Sequence, residues 1–230
     1  MKHIVVLTGA GISAESGLKT FRDAGGLWEG HNIMEVASPE GWRKNPALVL
    51  DFYNQRRKQL DEVLPNAGHL ALKKLEEKYK VTIVTQNVDD LHERAGSSNI
   101  IHLHGELKKA QSTLDPKLVY HLNGWEIKSG DKCEKGSQLR PFIVWFGEMV
   151  PLLDTAIQIA QTADIFMIIG TSLAVYPAAS LIDYVPPHCN IYVIDPNLPY
   201  IAKRNNLFLI EKKATEGVVE IVDQLMSGLQ

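Results

Sequence analysis

The feature that most constrains this chain is its opening run, His3-Ile4-Val5-Val6-Leu7-Thr8-Gly9-Ala10-Gly11-Ile12-Ser13-Ala14. A short stretch rich in Ile and Val, without alternation, reads as a strand buried on both faces, the condition of a parallel sheet. Gly9-x-Gly11-x-x-Ala14 follows at once with the spacing of a dinucleotide loop. Gly9 permits the tight turn, and Gly11 lets backbone approach a pyrophosphate. Ala14 is small enough for a new helix to pack on the strand with its N-terminus toward the phosphates. The competing reading is an ordinary glycine turn between a strand and a helix; the strand in front of the loop favours the nucleotide.

The usual dinucleotide pattern then breaks off. A hydride-transfer enzyme should show a second strand ending in Asp or Glu about twenty residues beyond the glycines. Here that region is Phe21-Arg22-Asp23-Ala24-Gly25-Gly26-Leu27-Trp28, polar and glycine-rich. The next convincing strand, Val81 to Thr85, ends in Gln86-Asn87 rather than an acid. A plain dehydrogenase is disfavoured, and the nucleotide is expected under a loop inserted after the first strand.

A chain of 230 residues can bury a sizeable core as one domain with a small insertion. Its 24 Lys and Arg against 27 Asp and Glu, with no basic block, do not point to nucleic acid. Two cysteines, Cys133 and Cys189, are too few for a disulfide framework or a four-cysteine metal site. The apolar run near the N-terminus is too short for a signal-peptide core, and nothing reaches membrane-spanning length. The expectation is a soluble, cytoplasmic α/β protein with no membrane partner and an open oligomeric state.

Further along, apolar spacing predicts helices over Pro46 to Leu60, Asn66 to Tyr79, Leu152 to Thr162, Ala178 to Tyr184 and Thr215 to Met226. Strands are expected at Ile100 to Leu103, Phe142 to Phe146, Ile165 to Ile169, Ile191 to Ile194 and Leu207 to Ile210. Lys108 to Gln138 turns polar and irregular and reads as an excursion. Strands alternating with helices give a doubly wound parallel sheet, Rossmann-like, with a small inserted domain. The larger part takes roughly 1–25, 81–107 and 141–230, and the smaller takes 26–80 and 108–140. In such sheets ligands collect beyond the carboxyl ends of the strands. Those ends read Gly9-Ala10-Gly11, Gln86-Asn87-Val88-Asp89, His104-Gly105-Glu106, Gly147-Glu148, Gly170-Thr171-Ser172 and Asp195-Pro196-Asn197. Core packing alone does not predict that polar set. His104 is the best general base in it, and Asn87 and Asp89 suit an amide and ribose hydroxyls, or serve as helix caps.

Six motifs, Gly9 to Ser13, Gly17 to Asp23, Thr85 to Asp89, His104-Gly105-Glu106, Phe146-Gly147-Glu148 and Gly170 to Leu173, stand in the order found in sirtuins. The chain resembles that family, the NAD-dependent protein lysine deacylases, over nearly its full length. The resemblance implies that the acyl oxygen of a modified lysine attacks the ribose carbon bearing nicotinamide. Nicotinamide leaves, an alkylimidate forms, and His104 acts as base on a ribose hydroxyl. Water then releases lysine and O-acyl-ADP-ribose. Asn87 and Asp89 would assist His104. The NAD pocket would take Gly9, Ala10, Gly11, Ser13, Phe21, Arg22, Trp28, Gln86, Asn87, Val88, Asp89, Gly170, Thr171, Ser172 and Ala214. Asp195 stands where sirtuins commonly carry an asparagine on the adenosine ribose, and Asn197 is the alternative for that contact. An acyl-lysine peptide would lie as a strand between Phe146, Gly147 and Glu148 on one side and Leu173, Val175 and Tyr176 on the other.

Tyr53 and Arg56 share a face of the helix from Pro46 and together can hold a terminal carboxylate. The spacing is similar to the Tyr-x-x-Arg of sirtuins that remove succinyl and malonyl groups, with Ala24 as the small residue opposite. The alternative is a solvated Arg56 beside Arg57 and Lys58. Most sirtuins bind a structural zinc with two cysteine pairs in the small domain. Between Lys108 and Arg140 this chain has Cys133 alone, and Asp115, His121, Asp131 and Glu134 match no usual zinc spacing. No zinc is expected, with Leu114, Leu118, Tyr120, Leu122, Trp125 and Ile127 stabilising the excursion. Two other readings stay open: an NAD-dependent ADP-ribosyltransferase or NAD hydrolase on the same scaffold, and a non-enzymatic nucleotide sensor.

Overall fold

The Ile/Val run at the N-terminus forms β1 (His3–Thr8), buried from end to end. The computed structural model describes residues 1–19, 27, 28 and 30–228. After β1 come α1 (Gly11–Ala14), β2 (Leu27–Trp28), β3 (His31–Asn32), α2 (Ile33–Val36), α3 (Pro39–Lys44), α4 (Pro46–Glu62) and α5 (Ala67–Leu75). Next are β4 (Lys80–Thr85), α6 (Leu91–Arg94), β5 (Ile100–His102), β6 (Gly105–Ser112), β7 (Val119–His121) and β8 (Leu139–Ile143). The chain closes with α7 (Leu153–Ala160), β9 (Ile165–Ile169), a 3₁₀ helix (Ala178–Asp183), β10 (Asn190–Ile194), β11 (Leu207–Ile210) and α8 (Ala214–Ser227).

Among the described residues a parallel six-stranded sheet runs in the order β11-β10-β9-β1-β4-β5. From β1 the chain winds outward through β4 to β5, then returns and winds the other way through β9, β10 and β11. The strand order therefore reverses between β1 and β9, so the sheet is doubly wound and its ligand crevice lies at that seam. Successive side chains of β1 enter opposite layers. Ile4 and Val6 pack with Leu72 and Leu75 of α5 and Val218 and Val222 of α8. Val5 and Leu7 pack with Ala156 and Ala160 of α7 and with Leu181. Burial on both faces explains the absence of alternation in these strands. No helix among the described residues is long and apolar enough to cross a membrane.

The main sheet follows the sequence reading, but three neighbouring expectations need correction. Of the core strand expected over Phe142 to Phe146, only Phe142 and Ile143 are in a strand, β8, which pairs antiparallel with β6, as does β7. The polar excursion is thus an ordered three-stranded lobe whose one-faced burial hides its strands from an apolar-run search. The helix α5, assigned by sequence to the small part, packs beneath the main sheet against α8. Of the apolar residues expected to hold the lobe, Ile127 and Leu122 sit with Leu50, Ala110, Trp42 and Leu139, whereas Leu114 and Trp125 are exposed.

Polar contacts do much of the joining there. Fully buried Arg57 donates from Nε to the Trp125 carbonyl at 2.6 Å and from Nη1 to the Leu107 carbonyl at 3.4 Å. It also reaches Asn54 Oδ1, while Asn54 donates to the Ile127 carbonyl at 3.1 Å. Asn45 caps α4 through Leu48 N–H, with Pro46 in the first turn.

Candidate active site

The seam is closed by glycines. Gly11 N–H donates to the Gly170 carbonyl at 2.8 Å, and Gly9 N–H to the Ile169 carbonyl at 3.0 Å. A Cβ on Gly11 would lie 2.6 Å from Gly170 Cα, and one on Gly170 would lie 2.3 Å from Ile12 N. These glycines are therefore required by the close passage of the two loops, a reason the sequence reading did not include. The helix α1 is a single turn, and Ala14 is exposed; Ile12 and Ser13 make its buried face. The expectation that Ala14 packs the helix onto the strand is corrected accordingly.

Beside the seam, the end of β4 builds a buried polar chain. Asn87 donates from Nδ2 to the Gly9 carbonyl at 3.1 Å and to Ser13 Oγ at 3.2 Å. Ser13 Oγ donates to Asp89 Oδ2 at 3.0 Å, and Leu91 N–H donates to Asp89 Oδ1 at 3.1 Å. Burial raises the Asp89 pKa; those two bonds and the His102 charge offset it only in part. Asn87 N–H bonds Thr85 Oγ1 at 3.0 Å, and Thr8 donates to the same hydroxyl oxygen at 2.8 Å. His92 Nε2 lies 3.1 Å from Thr8 Oγ1, so a donor chain runs from the buried imidazole through Thr8 and ends at Thr85 Oγ1, which also accepts from Asn87 N–H. His92 packs edge-on against His69, and burial lowers the pKa of both.

His104 leaves the end of β5 with Nδ1 3.0 Å from the Gln86 carbonyl. Opposite a carbonyl, Nδ1 must carry the proton, which leaves Nε2 as the acceptor. Burial lowers the His104 pKa and the Gln86 bond opposes this, so the ring is neutral and basic near pH 7. Gly105, at φ +85°, turns the chain into β6, where a Cβ would sit 2.1 Å from the Phe142 carbonyl oxygen. The backbone on either side is fixed by Leu103 N–H to Thr85 O and Val144 N–H to His104 O, both at 2.9 Å.

Across the seam, Gln86 donates to Thr171 Oγ1 at 3.2 Å, tying the β4 loop to the β9 loop. Ser172 is exposed, and Leu173 holds a left-handed φ of 54°, a strained value for a branched residue. Val175 is half-buried and Tyr176 is exposed. Asp195 is buried and caps its own turn through Asn197 N–H at 2.8 Å, whereas Asn197 lies open at the rim. Ala214 is in the core at the start of α8. Val88 is half-buried among the residues under the lobe.

On the expected peptide edge, Phe146 is exposed and its N–H donates to the Ala37 carbonyl at 3.0 Å. Glu148 is committed internally: Arg140 meets it at 2.7 and 3.1 Å, and Trp145 N–H donates to it at 2.8 Å. Arg140 in turn lies 3.4 Å over the Trp145 ring. Glu148 thus fixes the turn that presents Phe146 and Gly147.

Tyr53 is fully buried and Arg56 is 8% exposed on the same face of α4. The Tyr53 hydroxyl accepts from Trp145 Nε1 at 3.2 Å, which joins this face to the turn carrying Phe146. Burial raises the Tyr53 pKa, so the phenol stays protonated. The solvated alternative for Arg56 is therefore incorrect: the apolar face of α4 takes both arginines inward. Phe21, Arg22 and Ala24 lie outside the described residues, as does the side chain of Trp28. Sequence reasoning overlooked His102, Glu93, His92 and His69. The spacing His102-x-His104, at the end of β5 and in the turn after it, was the available signal.

The residues of the lobe do not suit a zinc ion. Cys133 Sγ lies 3.4 Å from Ser112 Oγ and 3.2 Å from Ser137 Oγ, and the two hydroxyls are 2.8 Å apart. Asp115 pairs with Lys135 at 2.7 Å, Glu134 accepts from Tyr120, and Asp131 accepts from Lys128 N–H at 2.7 Å. One thiol, with hydroxyls bonded to each other, is a poor donor set for zinc. The nucleotide rim is different. Ala10, Gly11, Thr171, Ser172 and Asn197 are neutral, Asp89 accepts from Ser13 and Leu91 N–H, and Asp195 accepts from Asn197 N–H in its own turn. Such a mouth fits an anionic pyrophosphate.

The Sir2 family pattern matches residues 9–177. A Bacteroides thetaiotaomicron protein named NAD-dependent protein deacylase is 54% identical over 231 residues, 98% of this chain and 99% of its own. A Helicobacter pylori (strain 26695) protein of the same name is 58% identical over 228 residues, 98% of each chain. A solved Sir2 homolog–NAD complex has a TM-score of 0.90 at 40% identity, covering 100% of this chain and 91% of that one. A Sir2 protein bound to a propionylated peptide has a TM-score of 0.79 at 28% identity, covering 99% and 94%.

Proposed function

The chain belongs to the Sir2 family, and from that premise we propose that its deacylase site prefers lysine acyl groups ending in a carboxylate, succinyl and malonyl above acetyl. It is an NAD-dependent protein deacylase. NAD supplies an electrophilic ribose carbon once nicotinamide departs. The chain supplies the rest. Gly9, Ala10, Gly11, Thr171, Ser172 and Asn197 would hold phosphates and adenosine; Ser13, Gln86, Asn87 and Asp89 would hold the nicotinamide amide and ribose. His104, neutral with Nε2 available, takes a proton from a hydroxyl brought to it. The backbone at Phe146 and Gly147, with Leu173 to Tyr176, would clamp the acyl-lysine peptide by strand pairing.

The acidic-acyl preference is carried by one observation: a buried guanidinium, Arg56, beside the protonated phenol of Tyr53 on one helix face. A carboxylate meeting both gains charge-assisted hydrogen bonds in a dry pocket. Arg56→Met is expected to lower kcat/KM for a succinyl-lysine peptide roughly 100-fold while changing deacetylation by less than about threefold. Equal losses on the two peptides would refute the preference. Mass spectrometry finding O-acyl-ADP-ribose, rather than free or protein-linked ADP-ribose, separates this chemistry from transfer or hydrolysis.

We also propose that the lobe folds without zinc, supported by the Ser112–Cys133–Ser137 cluster at its centre. Elemental analysis should find far less than one zinc per chain, and a chelator should leave the melting temperature unchanged. A stoichiometric metal would overturn this. A cytoplasmic site of action is supported by two buried, unbridged cysteines, which suit a reducing compartment.

A further inference from the structure

The strand β5 and the turn after it carry two histidines whose surroundings demand opposite protonation states. His104 faces one carbonyl and keeps its other nitrogen as an acceptor. His102 faces acceptors on both sides: the Asn87 carbonyl lies 3.1 Å from Nδ1, and Glu93 Oε1 lies 2.6 Å from Nε2. A neutral imidazole has a single N–H and can serve only one of them; an imidazolium serves both.

We propose that His102 is a positioning residue, held as an imidazolium between Glu93 and the Asn87 carbonyl, where it pins the turn bearing Asn87 and Asp89 and supplies the positive charge that faces the Asp89 carboxylate. The inference deepens the NAD-dependent reading, because Asn87 and Asp89 are the groups that would hold the nicotinamide end of the dinucleotide.

The charged surroundings agree. Burial alone would lower the His102 pKa, but the bond and attraction to Glu93, with a further pull from Glu106, outweigh it and leave the pKa raised. Glu106 is itself paired with Lys109 at 2.6 Å, and Asp90 beyond Asp89 pairs with Arg94 at 3.6 Å. On α6, His92 is neutral through burial and brings no competing cation. Asp89, pushed upward by burial, gains part of its compensation from His102. Removing the His102 charge therefore raises the Asp89 pKa further. The His102 contribution is complete below the ordinary histidine range, about 6.5, and fades as pH rises through its raised folded value.

Nitrogen NMR of the imidazoles in the labelled ligand-free enzyme at pH 7 reads this directly, apart from any catalytic assay. Both nitrogens of His102 should be protonated, and only Nδ1 of His104. A neutral His102 would overturn the proposal. His102→Asn and Glu93→Gln, the latter keeping an acceptor without its charge, should raise the KM for NAD about tenfold, with kcat within about threefold. In His102→Asn the acid limb of kcat/KM for NAD should also move to higher pH, which a purely structural loss would not produce. Should His102→Asn not fold, Glu93→Gln carries the test. Calorimetric NAD binding reads the same loss even if no acyl peptide is turned over. Parental NAD affinity and an unmoved acid limb in the folded variants would overturn the proposal.

Discussion

In the parallel sheet, β1 and β9 bury every side chain, and the layers between the hydrogen-bonded strands and the helices are filled mainly by apolar packing, which has no direction. Where α4 meets the lobe of β6, β7 and β8, the buried positions include Arg57, Asn54, Ser112 and Cys133, which make hydrogen bonds that have a direction. Apolar layers tolerate the loss of a polar side chain at their rim. A lobe joined to α4 by a buried guanidinium does not tolerate losing it, because the Trp125 and Leu107 carbonyls lose that donor at once, while Asn54 Oδ1 keeps the Ile127 N–H. On the proposed site the same contrast separates chemistry from stability: the groups proposed as catalytic stand on the tolerant sheet, and the lobe must stay ordered to present the proposed peptide edge.

Three experiments would break or sharpen that contrast. His104→Ala should lower deacylation about 10³-fold while NAD affinity and melting temperature stay near the parent values. Unfolding of this variant, seen by circular dichroism, would mean that the rim is not tolerant. Next in size, Arg57→Met should destabilise the protein by about 3 kcal/mol, read from urea unfolding, because the Trp125 and Leu107 carbonyls lose this donor. A near-neutral effect would show that the lobe is held by its apolar contacts after all. The smallest effect lies under the sheet. His69, lowered to about 4, and His92 have folded pKa values below that of the unfolded chain. Their stability contribution is complete above about pH 6.5 and is lost as pH falls toward 4. About 1–2 kcal/mol should have gone by pH 6, and His92→Gln should flatten that slope.

Much of the main sheet was legible because β1, β9 and β10 are continuous apolar runs of strand length and their polar ends are distinctive. The lobe was not, since β6 reads Gly-Glu-Leu-Lys-Lys-Ala-Gln-Ser and buries scattered positions behind a bulge. Within the site, the roles of His104 and Asn87 follow from residue type and place at a strand end. Those of His102 and Glu93 do not, because they depend on a loop of β4 folding back across β5. Glu148 is expected from the sequence on the peptide edge, and its pair with Arg140, which stacks on Trp145, makes it the brace of that turn. Ala14 illustrates the opposite error: a familiar spacing suggested a packed helix, and a one-turn α1 left it facing water.

The contact of Gly11 with Gly170 welds the loops of the two half-sheets into a single rigid grip. Any enlargement in one loop is transmitted to the other, so the adenosine and nicotinamide ends cannot drift apart in affinity by independent substitutions. The acyl choice proposed above, by contrast, rests on α4, outside that weld. On that proposal, a lineage built on this scaffold would exchange one acyl group for another by changing a helix face, while its hold on the shared dinucleotide stays fixed.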